Sequence, residues 1–259
     1  MADTSSPTPQ LPDPCRLGGP EWLRSTGGRL TAADRRMMWG VSLRTQRALV
    51  AGRLGRRRRT SLDSDELMRL PDSRLVRTAE EAALVQSPAL LAHGYRTAVF
   101  AQALAVVDRV AVDRELLVVC GLLHDAGLVP AVAGEDFTVR SAAIAAHAAT
   151  DAGREDAAAP MADAITVHTT VGVDPATDGA LGAYTQFGAL VDLLGLRERD
   201  LPHDLVARTV AAHPRAGFAG EITRALRAEA RAVPGGRFDF LRRTGFVPAV
   251  HLAAVPSRR

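Results

Sequence analysis

The chain contains no lysine: all 32 of the basic side chains among its 259 residues are arginine. That absence excludes a lysine Schiff base, a lysine general base and a phosphate-loop lysine. Cysteine is nearly absent as well. Cys15 lies among prolines and Cys120 inside an apolar run, so no disulfide framework is available and a reducing compartment is expected. Aromatic residues make up only 4% of the chain, and no clean period-two run occurs, which argues against a sheet. An excess of one charge is missing too. The net charge of +3 is too small to mark a nucleic-acid-binding surface. No apolar stretch approaches the roughly 18 residues of a membrane span. The first fifteen residues are rich in Pro, Ser, Thr and Asp and lack the apolar segment of a secretory signal. The expectation is a cytoplasmic protein with a small-molecule substrate and neither a nucleic-acid nor a membrane partner; the oligomeric state stays open.

What is present is alanine, leucine and valine in helical patterns. With 47% hydrophobic and 24% charged residues, the chain can build a sizeable core. Prolines at 7, 9, 12, 14 and 20 predict a disordered leader over residues 1–20. A helix is expected over 31–53, with Thr31 as N-cap and Met37, Met38, Val41, Leu43, Leu49 and Val50 on an apolar face. Arg56 to Arg59 form a run best read as a solvated linker, with an anion contact as the functional alternative. Asp72 or Ser73 can cap the next helix, and Pro88 suits the first turn of another that runs through His93 to Val107. Residues 115–124 are apolar all round, as befits a buried central helix. Further helices are expected over 138–152, 160–170, 181–195, 202–213 and 216–232. The division that follows is an N-terminal extension over 1–62 with one helix, an all-α domain over 63–233, and an irregular tail over 234–259 broken by prolines.

The chemistry centres on His124 and Asp125, two adjacent ionisable residues that end the most apolar helix. Buried charge is costly unless it is paired or bound to metal. Imidazole and carboxylate together suit a divalent transition metal. His93 lies 31 residues upstream, early in its own helix, and Asp192 lies 67 residues downstream in an apolar run that leaves a lone aspartate in need of a partner. Asp178, in a turn, is the competing downstream aspartate. His168 sits in another apolar stretch, either as a core histidine or as a proton-handling group. Arg96, one turn after His93, can orient a substrate or hold a ligand carboxylate. Thr169 and Thr170 are candidates for a pocket lining. His147 is read as structural, and His203, His213 and His251 as surface or capping residues. No G-x-S-x-G and no glycine-rich phosphate cradle occurs, so a serine nucleophile and a nucleotide fingerprint are not supported.

The order His93…His124-Asp125…Asp192 resembles the H…HD…D motif of the HD-domain superfamily of metal-dependent hydrolases. The segments 88–97, 116–125, 164–169 and 182–192 are similar to its cyanamide-hydratase-like branch, over residues 65–215. That resemblance implies an all-α HD-domain helical bundle with an N-terminal extension. It also implies His93, His124, Asp125 and Asp192 as ligands of a divalent metal, zinc first, with iron, manganese or nickel as alternatives. In such a protein Asp125, His168 and Arg96 would serve a metal-activated water acting on a small molecule, as a hydrolase or hydratase. Two departures limit the transfer of substrate: no lysine follows the HD pair, where members often carry one, and Thr138 stands where relatives often have an acidic residue. Alternatives are an HD phosphohydrolase acting on a nucleotide or phosphomonoester, and a di-iron oxygenase recruiting His147 and His168 as extra ligands.

Overall fold

The computed structural model describes residues 13, 15–54 and 61–252; at 44–46 and 48–54 the backbone alone is described. Among these residues the protein is an all-α bundle of thirteen helices without a strand. The N-terminal pair is α1 (Pro20–Thr26) and α2 (Ala32–Leu54). The central group is α3 (Ser64–Met68), α4 (Arg74–Ala83), α5 (Pro88–Asp108), α6 (Arg114–Leu123), α7 (Phe137–Asp151), α8 (Glu155–Val167) and α9 (Ala180–Leu194). The series closes with α10 (His203–Ala212), α11 (Phe218–Ala232), α12 (Arg237–Arg243) and α13 (Phe246–His251). The starts follow local chemistry. Side-chain oxygens of Asp63, Ser73, Ser87, Asp113 and Asp136 accept from the first-turn amides of α3, α4, α5, α6 and α7, and Pro88 occupies the first turn of α5. Thr31 caps α2 as expected, its hydroxyl accepting from Asp34 N–H at 3.2 Å while Asp34 accepts in return from Thr31 N–H at 2.8 Å.

Helix α5 is the central element, packed along α9 on one side and α6 on another. Two glycines allow the close approach. A Cβ at Gly188 of α9 would lie 2.3 Å from the Thr97 carbonyl oxygen, and one at Gly121 of α6 would lie 2.7 Å from Ala98 Cα. Neither site tolerates a side chain without moving backbone. By length and composition α5 is also the one helix among the described residues that could cross a membrane, although 72% of its apolar window is buried inside the protein. This corrects the expectation that no stretch approaches a span. His93 and Arg96 interrupt the run to the eye, while its mean hydropathy stays high.

Both ends of the chain depart from expectation. The leader packs from Arg16 onward: its guanidinium pairs with Asp163 at 2.8 Å and Asp178 at 3.1 Å, and Leu17 is buried. Trp22, Leu23, Leu30 and Met38 then form a cluster with Phe240 and Leu241 of the C-terminal segment. That segment is helical rather than irregular. Pro248 falls in the first turn of α13, where its missing N–H has no intrahelical partner to lose. Helix α8 begins at Glu155, five residues before the expected start, and carries the exposed Pro160 within it. The expected face of α2 is only partly buried: Met38 is enclosed, whereas Met37 and Leu43 are exposed. Side chains of Leu49 and Val50, the Arg56–Arg59 run and residues 1–12 lie outside the described residues.

Candidate metal centre

Two helix C-termini meet beneath α5. His124 terminates α6 and His168 terminates α8. Each folds its imidazole back onto its own last turn, so that Nδ1–H donates to a carbonyl otherwise left without a partner: Gly121 at 2.8 Å and Ile165 at 2.6 Å. Those bonds settle the tautomers and turn both Nε2 lone pairs the other way. Both helices also point the negative end of their dipoles here, which favours a cation. Gln186 of α9 holds the turn after α8, donating to the carbonyls of His168 and Thr170 at 2.5 Å each.

His93 is oriented from the opposite side. Its Nδ1–H donates to Asp192 Oδ2 at 2.7 Å, and its ring stacks on Phe218 with centroids 4.7 Å apart. Asp192 is fully buried, and every acceptor site on its carboxylate is taken. Oδ1 receives Arg96 Nε at 2.8 Å and a guanidinium N–H of Arg215, while Oδ2 receives Arg96 Nη2 at 2.8 Å and His93. A carboxylate offers about four lone-pair directions, so none remains for a metal. Burial alone would raise the Asp192 carboxyl, but His93 and Arg96 reverse that and hold it well below the usual carboxylate range.

The structure places two of the expected site residues behind His93. Asp192 stands behind the ring rather than in the group with His124 and Asp125; it fixes the ring and its tautomer, the arrangement that raises a metal-binding imidazole's basicity. Arg96 takes the second of its two expected roles, holding a carboxylate. It is fully buried, and its Nη1 donates to the His213 and Pro214 carbonyls at 2.9 and 3.1 Å. Arg96 is a positioning residue for Asp192, and so is Arg215, which no pattern in the sequence singled out.

In front of these supports, His93, His124 and Asp125 form a buried group that could hold a metal ion. His93 Nε2 and His124 Nε2 are 3.2 Å apart, and Asp125 Oδ2 lies 3.4 Å from His124 Nε2 and 3.8 Å from His93 Nε2. His168 Nε2 is 3.8 Å from Asp125 Oδ1. The chemistry of this donor set fits a divalent ion. With each Nδ1 committed as a donor, the Nε2 atoms meet facing one another and a carboxylate, an arrangement that a shared cation would make favourable. Imidazole nitrogens bound at about 2.0–2.1 Å in a tetrahedral site lie about 3.3–3.4 Å from each other, close to the spacing found. Burial pushes His93 down despite the pull of Asp192, and it pushes His168 down to about 3, with His124 adding to the effect. His168 is thus neutral, offering a lone pair rather than a proton.

The chain matches no family model and no curated protein.

A cavity of about 340 Å³ opens from His124, Asp125 and His168. Its walls come from α9 (Leu190, Leu193), α11 (Ile222, Leu226), the C-terminal segment (Phe238, Leu241, Phe246, Ala249) and the turn after α8 (Thr169, Val171, Gly172), with Ser42 of α2 closing it. Both chain ends expected to be peripheral therefore build the pocket. Thr169 lines it as expected. Thr170 turns toward Arg237 and the Leu17 carbonyl instead, at 3.2 Å each. Asp178 is engaged elsewhere, pairing with Arg16 and accepting from the Asp174 amide at 2.8 Å. His147 is neither structural nor within the group. Its side chain is 79% exposed and faces Asp151 at 3.3 Å. Thr138 belongs to a separate buried cluster, donating to Asp136 at 2.7 Å and accepting from Arg237 at 2.9 Å.

Proposed function

We propose that the protein is a metal-dependent hydrolase or hydratase of the HD-domain kind, acting with water on a small, uncharged substrate. The observation that carries this reading is the set of proton-free imidazole nitrogens and one carboxylate at the head of an apolar cavity. His93, His124 and Asp125 would hold the metal, with His168 beside them. Zinc is the first choice for a site of imidazole and carboxylate donors with positions left for water, ahead of iron, manganese or nickel. Such an ion supplies Lewis acidity that lowers the pKa of water and polarises a substrate.

The chain's own groups perform the rest. Asp192, fixed by Arg96 and Arg215, keeps His93 pointing its Nε2 forward. His168, pushed down to about 3 by burial, presents an unprotonated Nε2 beside Asp125 as a hydrogen-bond acceptor for the attacking water. Asp125 Oδ1, 3.8 Å away, is the second acceptor within reach. The apolar walls exclude bulk water and so strengthen each of these interactions.

The choice of an uncharged substrate over a phosphoester rests on the walls. Arg197 is the one guanidinium lining the cavity. It is committed to both oxygens of Asp108 at 2.8 Å and to Asp200 at 2.9 Å. A phosphate entering beside Asp125 would have the metal alone as counter-charge, with no free guanidinium to hold it. The oxygenase alternative loses His147 as a ligand through its exposure. The test is a turnover screen of the full chain reconstituted with each metal, against nitriles, carboxamides and cyanamide on one side and phosphomonoesters and cyclic nucleotides on the other. Turnover confined to the uncharged set is expected. Phosphate release without any uncharged turnover would overturn the substrate choice, and no turnover with any metal would overturn the reading entirely.

A further inference from the structure

The cavity beside the group constrains the substrate more closely than its charge alone. Its volume lies near the lower end of the about 300–1,000 Å³ typical of small-molecule sites, yet it is far larger than a three- or four-atom molecule needs. Leu190, Leu193, Ile222, Leu226 and Phe246 present hydrocarbon toward its interior. Two side chains with hydroxyls stand in that wall. Ser42 and Thr169 both line the cavity, both are more than nine-tenths buried, and the enclosed hydroxyl oxygen of each has no hydrogen-bond partner. An unpartnered buried hydroxyl is a standing cost that a ligand's polar group relieves. Thr169 follows His168 directly in the turn after α8, and Ser42 comes from α2.

We propose that the cavity takes a neutral amphipathic molecule. Its hydrocarbon body lies along α9, α11 and α13, and one small polar group is held by Thr169 at the His124–Asp125–His168 end. This rests on the metal-centre reading of the same site and adds to it the class of substrate. A charged head gains no guanidinium here, because Arg197 is already paired with Asp108 and Asp200, and in the stripped protein an anion beside Asp125 would be uncompensated. A purely polar molecule is selected against by the walls.

The experiment is calorimetric titration of the full chain, loaded with zinc and separately stripped by chelator. The probes are n-alkyl carboxamides from butanamide to decanamide and n-alkyl phosphates of the same lengths. The dissociation constant of the amides is expected to fall about fourfold for each added methylene until the cavity is filled, with the phosphates at least about tenfold weaker throughout. Thr169→Val, nearly isosteric, should weaken the amides by about twofold to tenfold and leave the dependence on chain length unchanged. Affinity independent of chain length, or phosphates that bind more tightly than amides, overturns the inference. The two readings fail separately. A chain-length dependence that persists in protein unable to retain zinc supports the cavity assignment while sinking the metal centre. Zinc retained with no chain-length dependence does the reverse.

Discussion

Among the described residues, two buried polar clusters are built on opposite principles. In the first, Arg237 is fully enclosed and donates to Asp136 at 2.9 Å, to Thr138 at 2.9 Å and to the Thr166 carbonyl at 2.7 Å, while Thr138 donates in turn to Asp136. Donors and acceptors balance, and the cluster ties α12 to α7 and α8. In the second, the proton-free Nε2 atoms of His93 and His124 meet the Asp125 carboxylate, with that of His168 beside it. Every proton in that cluster is spent on the outer side, on Asp192, Gly121 and Ile165. A network that closes on itself is structural; a network whose acceptors face one another at a cavity wall could hold a cation.

Breaking the closed cluster carries the largest stability cost. Arg237→Met should lower unfolding stability by about 3–5 kcal/mol, because Asp136 stays buried without its partner; urea denaturation reads this directly. Asp125→Ala in stripped protein should cost far less, under about 1 kcal/mol, since no donor loses its acceptor. If the two variants cost the same, the contrast between the clusters is wrong.

Asp192→Asn addresses the support behind the open cluster. It should weaken metal binding by about 10- to 100-fold, measured by competition with a chromophoric chelator. Complete loss of binding would instead make Asp192 a ligand. The smallest effect belongs to Glu229, which accepts from Phe137 N–H at 2.9 Å beside the closed cluster. Burial, with Asp136 nearby, raises its carboxyl from 4.5 to about 7. The folded protein holds that proton more tightly than the unfolded chain does. This contribution is therefore fully present below about pH 4.5 and is lost as pH rises through 7. Glu229→Gln should flatten the stability profile across that window, and an unchanged slope would place the titration elsewhere.

The sequence made the open cluster largely legible and its scaffold much less so. His124-Asp125 at the end of an all-apolar helix, with His93 at the right distance, announced itself through the cost of burying such groups. The same argument placed Asp192 one layer too far forward. An aspartate in an apolar helix demands compensation, but the demand is met equally by a metal or by two guanidiniums. Arg215, 23 residues further along, carries no local mark of that role. The pocket walls were hidden for a different reason. Prolines at 248 and 256 read as breakers, whereas Pro248 sits in a first turn. Two short helices, α12 and α13, gain their stability from packing on α11 and on the N-terminal segment rather than from their own length.

Whether His93, His124 and Asp125 converge on a metal ion is decided by elemental analysis of protein purified without added metal. About one divalent transition-metal ion per chain is expected in the native protein and none in Asp125→Ala, with both proteins equally folded. A native protein free of metal that also fails to take up zinc, or an Asp125→Ala variant that retains its full complement, would contradict that convergence.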